Sequence, residues 1–271
     1  MRPAGEYLPN STFTGIRGEP LAAFKKTKLE QHLEELFLET PAPGKHCARN
    51  AFRHLQAAFA LARRAPEMAA LQAITAEEEA ASAVIHAIRR HKYIGSEQLN
   101  PRDHKQKNAL YPFFSAIQAV LGNAEQELEL RTRLIVEGKR LQIIFKANNI
   151  PGDKVACFIP PLHFNISLGD VLHDFANELA GIAALKGAGS IKKYVEQRAN
   201  KRNQILYASA GGIPWVTDLK GFLSAQRSHV RLHIAVYLLI DPYSEKQQFV
   251  QQGVIAFLKM LERLPRSIKF V

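Results

Sequence analysis

The feature that most constrains the fold is a pair of long, alanine-rich segments separated by one proline. Segments 47–64 and 67–92 each place apolar residues at helical spacing, and Pro66 lies between them (Phe52, Leu55 and Phe59 in the first; Leu71, Ile74, Ala81, Ile85 and Ile88 in the second). A proline breaks a helix where it stands, so two helices joined by a short connection are expected. We predict an antiparallel helical hairpin with these apolar stripes in the core.

A short stretch in the middle of the chain has the pattern of strands. In "ELELRTRLIVEGKRLQIIFKAN", apolar and charged residues alternate on either side of "EGKR", which indicates a β-hairpin, and "KVACFIPPLHFNIS" can add a strand or two. Helical spacing holds in the remaining long segments (101–121, from 168 onward, 218–239 and 244–264). We predict a mainly α-helical bundle with a small antiparallel β insertion, divided into an arm and helix at 1–45, a first half of the bundle at 46–125, the insertion at 126–167 and a second half at 168–271.

Composition is that of an ordinary globular protein, with 46% hydrophobic and 23% charged residues in 271. Only Cys47 and Cys157 are present, which excludes zinc ribbons and CxxC redox chemistry and favours a reducing compartment. The first 15 residues lack the apolar core of a signal peptide, and the longest apolar run, 234–240, is too short to cross a bilayer. We expect a cytoplasmic protein without a membrane partner.

The chain is strongly basic. Its 36 Lys and Arg residues against 25 Asp and Glu residues give a formal charge of +11. Such a surface attracts polyanions, because neutralising phosphates supplies most non-specific affinity for nucleic acid. RNA is therefore a candidate partner, although the charge alone could equally serve solubility.

Several chemistries are excluded by missing patterns. No HExxH, GxxxxGK[ST] or GxSxG motif occurs, so neither zincin, P-loop nor serine-hydrolase chemistry is expected. His229 and His233 share a helix face, but no third metal ligand is visible near them; the other interpretation is a phosphate-facing patch with Arg227 and Arg231. We predict no metal and no cofactor.

The segment "RNQILYASAGGIP" at 202–214 offers a different chemistry. Cleaving RNA without a metal requires a group that activates the 2′-hydroxyl, a cation for the transition-state charge and a proton donor for the leaving oxygen. Arg202 suits the second task, and Asn203 and Tyr207 lie on one helix face. The alternative is a helix end in which Tyr207 packs inward and Arg202 is solvated.

Three segments resemble the HEPN superfamily, in particular its branch related to the abortive-infection protein AbiV. Over about residues 46–240, the resemblance is carried by the hairpin segment with its Glu78-Glu79 pair, by "DHKQK" at 103–107 and by "KRNQILYASAGGIP" at 201–214. In the hairpin segment, Ser82 stands where that family has a lysine.

The resemblance implies a catalytic site on a late helix at a dimer interface, made of an arginine, a polar residue and a histidine. Arg202 and Asn203 match the first two, whereas Tyr207 stands where histidine is expected, as a hydrogen-bond donor. The resemblance also implies supporting roles for four other matched residues, Glu78, Glu79, His104 and Lys105. A carboxylate of the glutamate pair would hold the active-site arginine. The alternative is a solvated helix face for the two glutamates and a surface position before a helix for His104 and Lys105.

Two other segments match the same signature. "RNAFRH" contains Arg49, Asn50 and His54 at the full spacing but on the first helix of the bundle, and Arg227 to His233 has one more intervening residue. Both are retained as alternative catalytic sets.

Together these observations predict a homodimeric, metal-independent RNA endonuclease of an antiviral abortive-infection or toxin system. The alternative is a non-catalytic HEPN-like protein that binds nucleic acid, a nucleotide or a protein partner through the same basic surface.

Overall fold

The computed structural model describes residues 24–127, 130–147, 155–207 and 216–262. Helices dominate this part of the chain (α1, Lys28–Leu38; α2, Gly44–Leu61; α3, Pro66–Arg90; α4, His104–Glu127; α5, Ala176–Leu185; α6, Ile191–Leu206; α7, Leu219–Ile240; α8, Gln248–Glu262). The strands are short (β1, Leu130–Glu137; β2, Arg140–Ala147; β3, Val155–Cys157; β4, Ser167–Leu168; β5, Val171–Leu172). The predicted fold class, a mainly helical bundle with a small antiparallel insertion, is confirmed.

The predicted helical hairpin is formed by α2 and α3. Pro66 occupies the first turn of α3, where backbone N–H groups have no acceptor within the helix, so its missing N–H costs no hydrogen bond. The proline that separates the two segments is therefore also the start of the second helix. The inward faces of the two helices are buried, including Phe52, Leu55 and Ile85, and α3 then packs along α7. These helices form the main hydrophobic core.

Helix α1 is fastened at its first turn. Thr27 and Glu30 form a reciprocal capping box, in which the Thr27 hydroxyl accepts from the Glu30 amide at 3.2 Å and the Glu30 carboxylate accepts from the Thr27 amide at 2.7 Å. Glu30 is fully buried and also accepts hydrogen bonds from the Arg227 guanidinium on α7. The cap therefore docks α1 onto the bundle.

The predicted β-hairpin is confirmed in its position along the chain. β1 and β2 pair antiparallel, with Leu134 opposite Ile143 and Gly138 supplying a left-handed residue in the turn, and β3 pairs with β2. Leu141 and Ile143, two residues apart on β2, point to the same face of the sheet and are both buried in the main core, while Leu134, on that face of β1, is 47% exposed. One face of the sheet thus covers the bundle.

The helix predicted from residue 168 begins later. Residues 167–172 form the small hairpin β4–β5, and α5 starts only at Ala176. Gly169 takes a left-handed conformation in the turn, and the buried Gln252 side chain of α8 donates to the carbonyls of Ile166 and His173 at 2.6 and 2.9 Å. These hydrogen bonds from a distant helix hold the segment in an extended form that local periodicity does not reveal.

The predicted N-terminal arm, residues 1–20, lies outside the described residues. Within the described ranges, no helix is both long and apolar enough to cross a membrane.

Candidate functional site

The three residues predicted as catalytic lie at the end of α6 and do not converge. Arg202 is half-buried, Asn203 is exposed, and Tyr207 caps the helix with 66% of its surface exposed. The Tyr207 amide donates to the Asn203 carbonyl at 3.0 Å, but no side-chain hydrogen bond joins any two of the three within the described chain. The glycine pair that follows them lies outside the described residues.

One helical turn earlier, Arg198 enters a buried polar cluster. The carboxylate of Glu77, only 3% exposed as a residue, accepts a hydrogen bond from the Arg198 guanidinium and lies 3.2 Å from Nδ1 of His229. One carboxylate on α3 therefore joins a cation from α6 to an imidazole from α7. The sequence predicted that Glu78 or Glu79 would hold the active-site arginine, Arg202, whereas the observed pair joins Glu77 to Arg198.

Tyr111 of α4 closes one side of this cluster. Its ring stacks on the His229 imidazole, with ring centroids 3.4 Å apart, and the Arg198 guanidinium lies 5.1 Å from the same ring centroid. Nε of Arg198 also donates to the Asn108 carbonyl at 3.3 Å. These contacts hold the guanidinium and the imidazole in fixed positions.

The ionisation of the cluster is set by burial and by neighbouring charges. Burial alone would raise the pKa of Glu77, but Arg198 and the hydrogen bond with His229 outweigh it and hold that pKa well below its usual range. Burial alone would lower the pKa of Arg198, but the Glu77 carboxylate raises it. The pair is therefore an ionised carboxylate beside a guanidinium.

A surplus of positive charge lies next to this pair. Lys186, Lys201 and Arg202 form no ion pair with a carboxylate in the described part of the chain. Burial, followed by repulsion from Arg198, lowers the pKa of Lys201, whose Nζ lies 4.6 Å from the ring centroid of Phe222. Such crowding of cations favours binding of an anion.

Glu78 makes a second cluster with residues of α4. Its buried carboxylate lies 2.8 Å from Nδ1 of His104 and 3.6 Å from Nζ of Lys107, and it accepts from Nδ2 of Asn108 at 3.1 Å. Burial opposes the ionisation of Glu78, but these partners lower its pKa. Asn108 belongs to both clusters, since its carbonyl accepts from Arg198.

The other supporting residues lie apart. Among the described residues, Glu79 makes no ion pair. In the same part of the chain, Lys105 makes a hydrogen bond with another side chain only through its backbone amide, which donates to the Asp103 carboxylate at 2.8 Å. Ser82, at the position of the family's lysine, donates to the carbonyls of Glu78 and Pro101 at 2.9 and 3.1 Å. Lys107, not Lys105, is the lysine of this segment that reaches a carboxylate.

The alternative set on α2 forms no cluster. Arg49 is exposed and Asn50 is half-buried, while Nδ1 of His54 lies 2.5 Å from the side-chain oxygen of Gln72. His54 thus contacts the neighbouring helix, α3.

The alternative set on α7 is divided between two environments. Arg227 binds Glu30 and lies 4.6 Å from the ring centroid of Phe24, whereas His233 is fully buried. Nδ1 of His233 lies 2.7 Å from the His229 carbonyl, and its Nε2 has no hydrogen-bond partner among the described residues. In the described ranges, no group of three or more histidine, cysteine or acidic side chains could hold a metal ion.

Sequence reasoning missed Glu77, Arg198 and Tyr111. Two signals were available: Glu77 directly precedes the glutamate pair, and Arg198 lies four residues before Arg202, on nearly the same face of α6. Tyr111 had no signal, because its role depends on how α4 meets α7.

Comparison of the chain with protein-family models, curated proteins and solved structures finds no match.

Proposed function

We propose that this chain is a HEPN-like, metal-independent RNA endonuclease whose reactive groups are Arg198 and His229. The observation that carries this proposal is the Glu77 carboxylate, which holds a guanidinium and an imidazole together beside cations on and near α6 that form no ion pair with a carboxylate of the described residues. Arginine recognises phosphate oxygens, and a carboxylate on one imidazole nitrogen orients the other as a proton acceptor. Both residues keep an exposed edge, 17% of the Arg198 side chain and 10% of the His229 side chain.

The chemistry follows from these assignments. Nε2 of His229 takes the proton of the 2′-hydroxyl, and the 2′ oxygen attacks the adjacent phosphorus. Arg198 stabilises the negative charge of the transition state. The bond to the 5′ oxygen breaks, and that oxygen takes a proton from the Lys201 ammonium, whose lowered pKa makes it the better acid. The products are a 2′,3′-cyclic phosphate and a 5′-hydroxyl.

The residues at the end of α6 would bind the RNA backbone. Arg202 supplies a further phosphate contact, and the exposed Asn203 and Tyr207 can donate hydrogen bonds to neighbouring groups. In a homodimer, a second α6 would add its cations to the same strand. The resemblance to AbiV-type proteins supports a role in antiviral abortive infection or as a toxin.

The second candidate is a non-catalytic HEPN-like protein that binds RNA, a nucleotide or a protein partner. One observation favours it: the Tyr111 ring stacks directly on the His229 imidazole and limits access to it. Binding through Lys201 and Arg202 would not require that ring to move.

Incubation with labelled RNA in EDTA separates the two candidates. We expect the wild-type chain to cleave, and His229→Asn to bind RNA with unchanged affinity without cleaving it. RNA binding without cleavage in the wild type would favour the second candidate, and cleavage by His229→Asn would refute the role of His229. Arg202→Ala in the same assay tests the site predicted from the sequence: it should weaken binding and leave cleavage at saturating RNA intact.

The salt dependence of binding tests the surface itself. Lys201→Ala combined with Arg202→Ala should reduce the slope of log K against log salt by about 1.4, since each phosphate contact on a single strand contributes roughly 0.7. The matched control is Arg131→Ala combined with Arg133→Ala, which removes the same charge from exposed positions of β1. Equal loss in both double variants would show that only net charge matters and would refute an α6 site.

A further inference from the structure

A large apolar cavity lies between the β-hairpin and the bundle. Its volume is about 260 Å³, and helices α3, α4, α7 and α8 line it together with β1 and β2. Aliphatic side chains such as Val84 and Leu239 form most of the wall, and its aromatic part is formed by Phe113, Phe114, Phe249 and Phe257. The cavity is separate from the polar cluster at Arg198.

The wall of the cavity carries no charged side chain among the described residues. Its polar side chains are Gln118 of α4 and Thr132 of β1. Gln118 is exposed and Leu134, also in the wall, is 47% exposed, so the cavity meets solvent on the side where α4 faces β1. A molecule inside would meet hydrocarbon along its length and hydrogen-bonding groups at one end.

Water is a poor occupant of such a space. A buried water molecule requires two to four polar partners, and an apolar cavity that lacks them stays dry. A void also deprives its wall of dispersion contacts, which an apolar molecule of matching size restores. Cavities of about 150 Å³ lined by Leu, Ile and Phe already take up benzene, so this larger space suits a two-ring aromatic or a medium-length alkyl chain.

We propose that this cavity binds an uncharged, mainly hydrocarbon small molecule. The ligand would carry one polar group that forms a hydrogen bond with the side chain of Gln118 or Thr132. The lack of charge in the wall disfavours an acid or an amine, because a charge left unpaired in such surroundings is strongly destabilised. This proposal does not depend on the RNA activity, and either can fail without the other.

Fluorescence of N-phenyl-1-naphthylamine tests the proposal. We expect an increase in fluorescence that saturates at one probe per chain, and displacement by 1-decanol at least tenfold more effective than by decanoate at neutral pH. Equal displacement by the acid would overturn the uncharged class. Probe binding that falls as protein concentration rises would mean that a second copy of the chain occupies the space, and would overturn a small-molecule site.

Glycines provide a matched pair of variants. A Cβ at Gly253 of α8 would lie 3.8 Å from the Phe113 ring, so Gly253→Leu would fill the cavity, whereas a Cβ at Gly122 of α4 meets nothing within 4 Å. We expect Gly253→Leu to weaken probe binding at least tenfold and Gly122→Leu to leave it unchanged. If Gly253→Leu does not fold, Gly253→Ala, which fits without displacement, should weaken binding by a few fold. Unchanged binding in the Gly253 variant, or equal loss in both, would refute the assignment to this cavity.

Discussion

Replacing Glu77 with glutamine should destabilise the fold far more than the same change at Glu79. Glutamine keeps the shape but removes the charge, so the Arg198 guanidinium, whose side chain is only 17% exposed, would have no counter-ion. Removing one partner of a buried ion pair costs about 3–5 kcal/mol. Arg198 keeps its hydrogen bond to Asn108 and its contact with the Tyr111 ring, so we expect a loss of about 3 kcal/mol, at the low end of that range.

The loss should depend on pH in a defined direction. The pKa of Glu77 in the folded chain lies below its ordinary value of 4.5, because Arg198 and His229 outweigh the effect of burial. The ionised carboxylate therefore stabilises the fold fully above about pH 4.5, and this stabilisation decreases as the pH falls toward the folded-state pKa. The deficit of Glu77→Gln should be largest near neutral pH and smaller at about pH 3.5.

Urea denaturation of the wild type, Glu77→Gln and Glu79→Gln at both pH values provides the measurement. Glu79 is the matched control, since it is half-buried and makes no ion pair in the described part of the chain. At neutral pH a loss of 3 kcal/mol corresponds to a lower melting temperature by roughly 6–12 °C for a chain of this size. If Glu77→Gln and Glu79→Gln unfold at the same urea concentration, or if the deficit does not shrink in acid, the assignment of Glu77 as a buried counter-ion is wrong.

Two further predictions concern α7. Burial lowers the pKa of His233 to about 4, so between about pH 6.5 and pH 4 the unfolded chain binds a proton at this residue while the folded chain does not. The free energy of unfolding should therefore fall by about 3 kcal/mol as the pH decreases through this range. His233→Leu should remove that part of the acid sensitivity in denaturation curves. Arg227→Ala leaves the buried Glu30 without its cation and should lower the free energy of unfolding by about 3 kcal/mol, whereas Arg231→Ala, whose contact is with Ser228 one turn away, should change it by less than about 0.5 kcal/mol. Equal effects of the two arginine variants would contradict the role of Arg227 in docking α1.

The sequence was most informative where structure is set by local spacing. The apolar stripes of α2 and α3 repeat over several turns around one proline, and the strands β1 and β2 alternate over eight residues each, so both motifs could be predicted together with their positions. The β4–β5 hairpin could not, because Gln252, about 80 residues further along the chain, holds it extended.

The sequence could predict that a glutamate of α3 pairs with an arginine of α6, but not which glutamate or which arginine. Three consecutive glutamates on α3 point about 100° apart, so each meets a different neighbour. Glu77 faces α6 and α7, and Glu78 faces α4. Glu79 lies toward α2, where its charge helps to raise the pKa of Cys47. Which of them meets an arginine depends on how α6 is placed against α3. The same holds for α6, where Arg198 and Arg202 differ by only about 40° around the helix but by one turn along it.

The energetics of this network favour a functional role over a purely structural one. Through Asn108, the hydrogen bonds run from Glu78 to Arg198, Glu77 and His229, and so connect α3, α4, α6 and α7. Burying these charges costs desolvation energy that their mutual attraction only offsets, so apolar residues of similar volume could hold the same helices together equally well. An imidazole that is oriented by a carboxylate and lies beside a guanidinium can transfer protons and bind anions, which apolar side chains cannot do. We therefore propose that the cluster serves the RNA chemistry proposed for this site, and we attribute the cohesion of the bundle to the apolar faces of α2, α3 and α7.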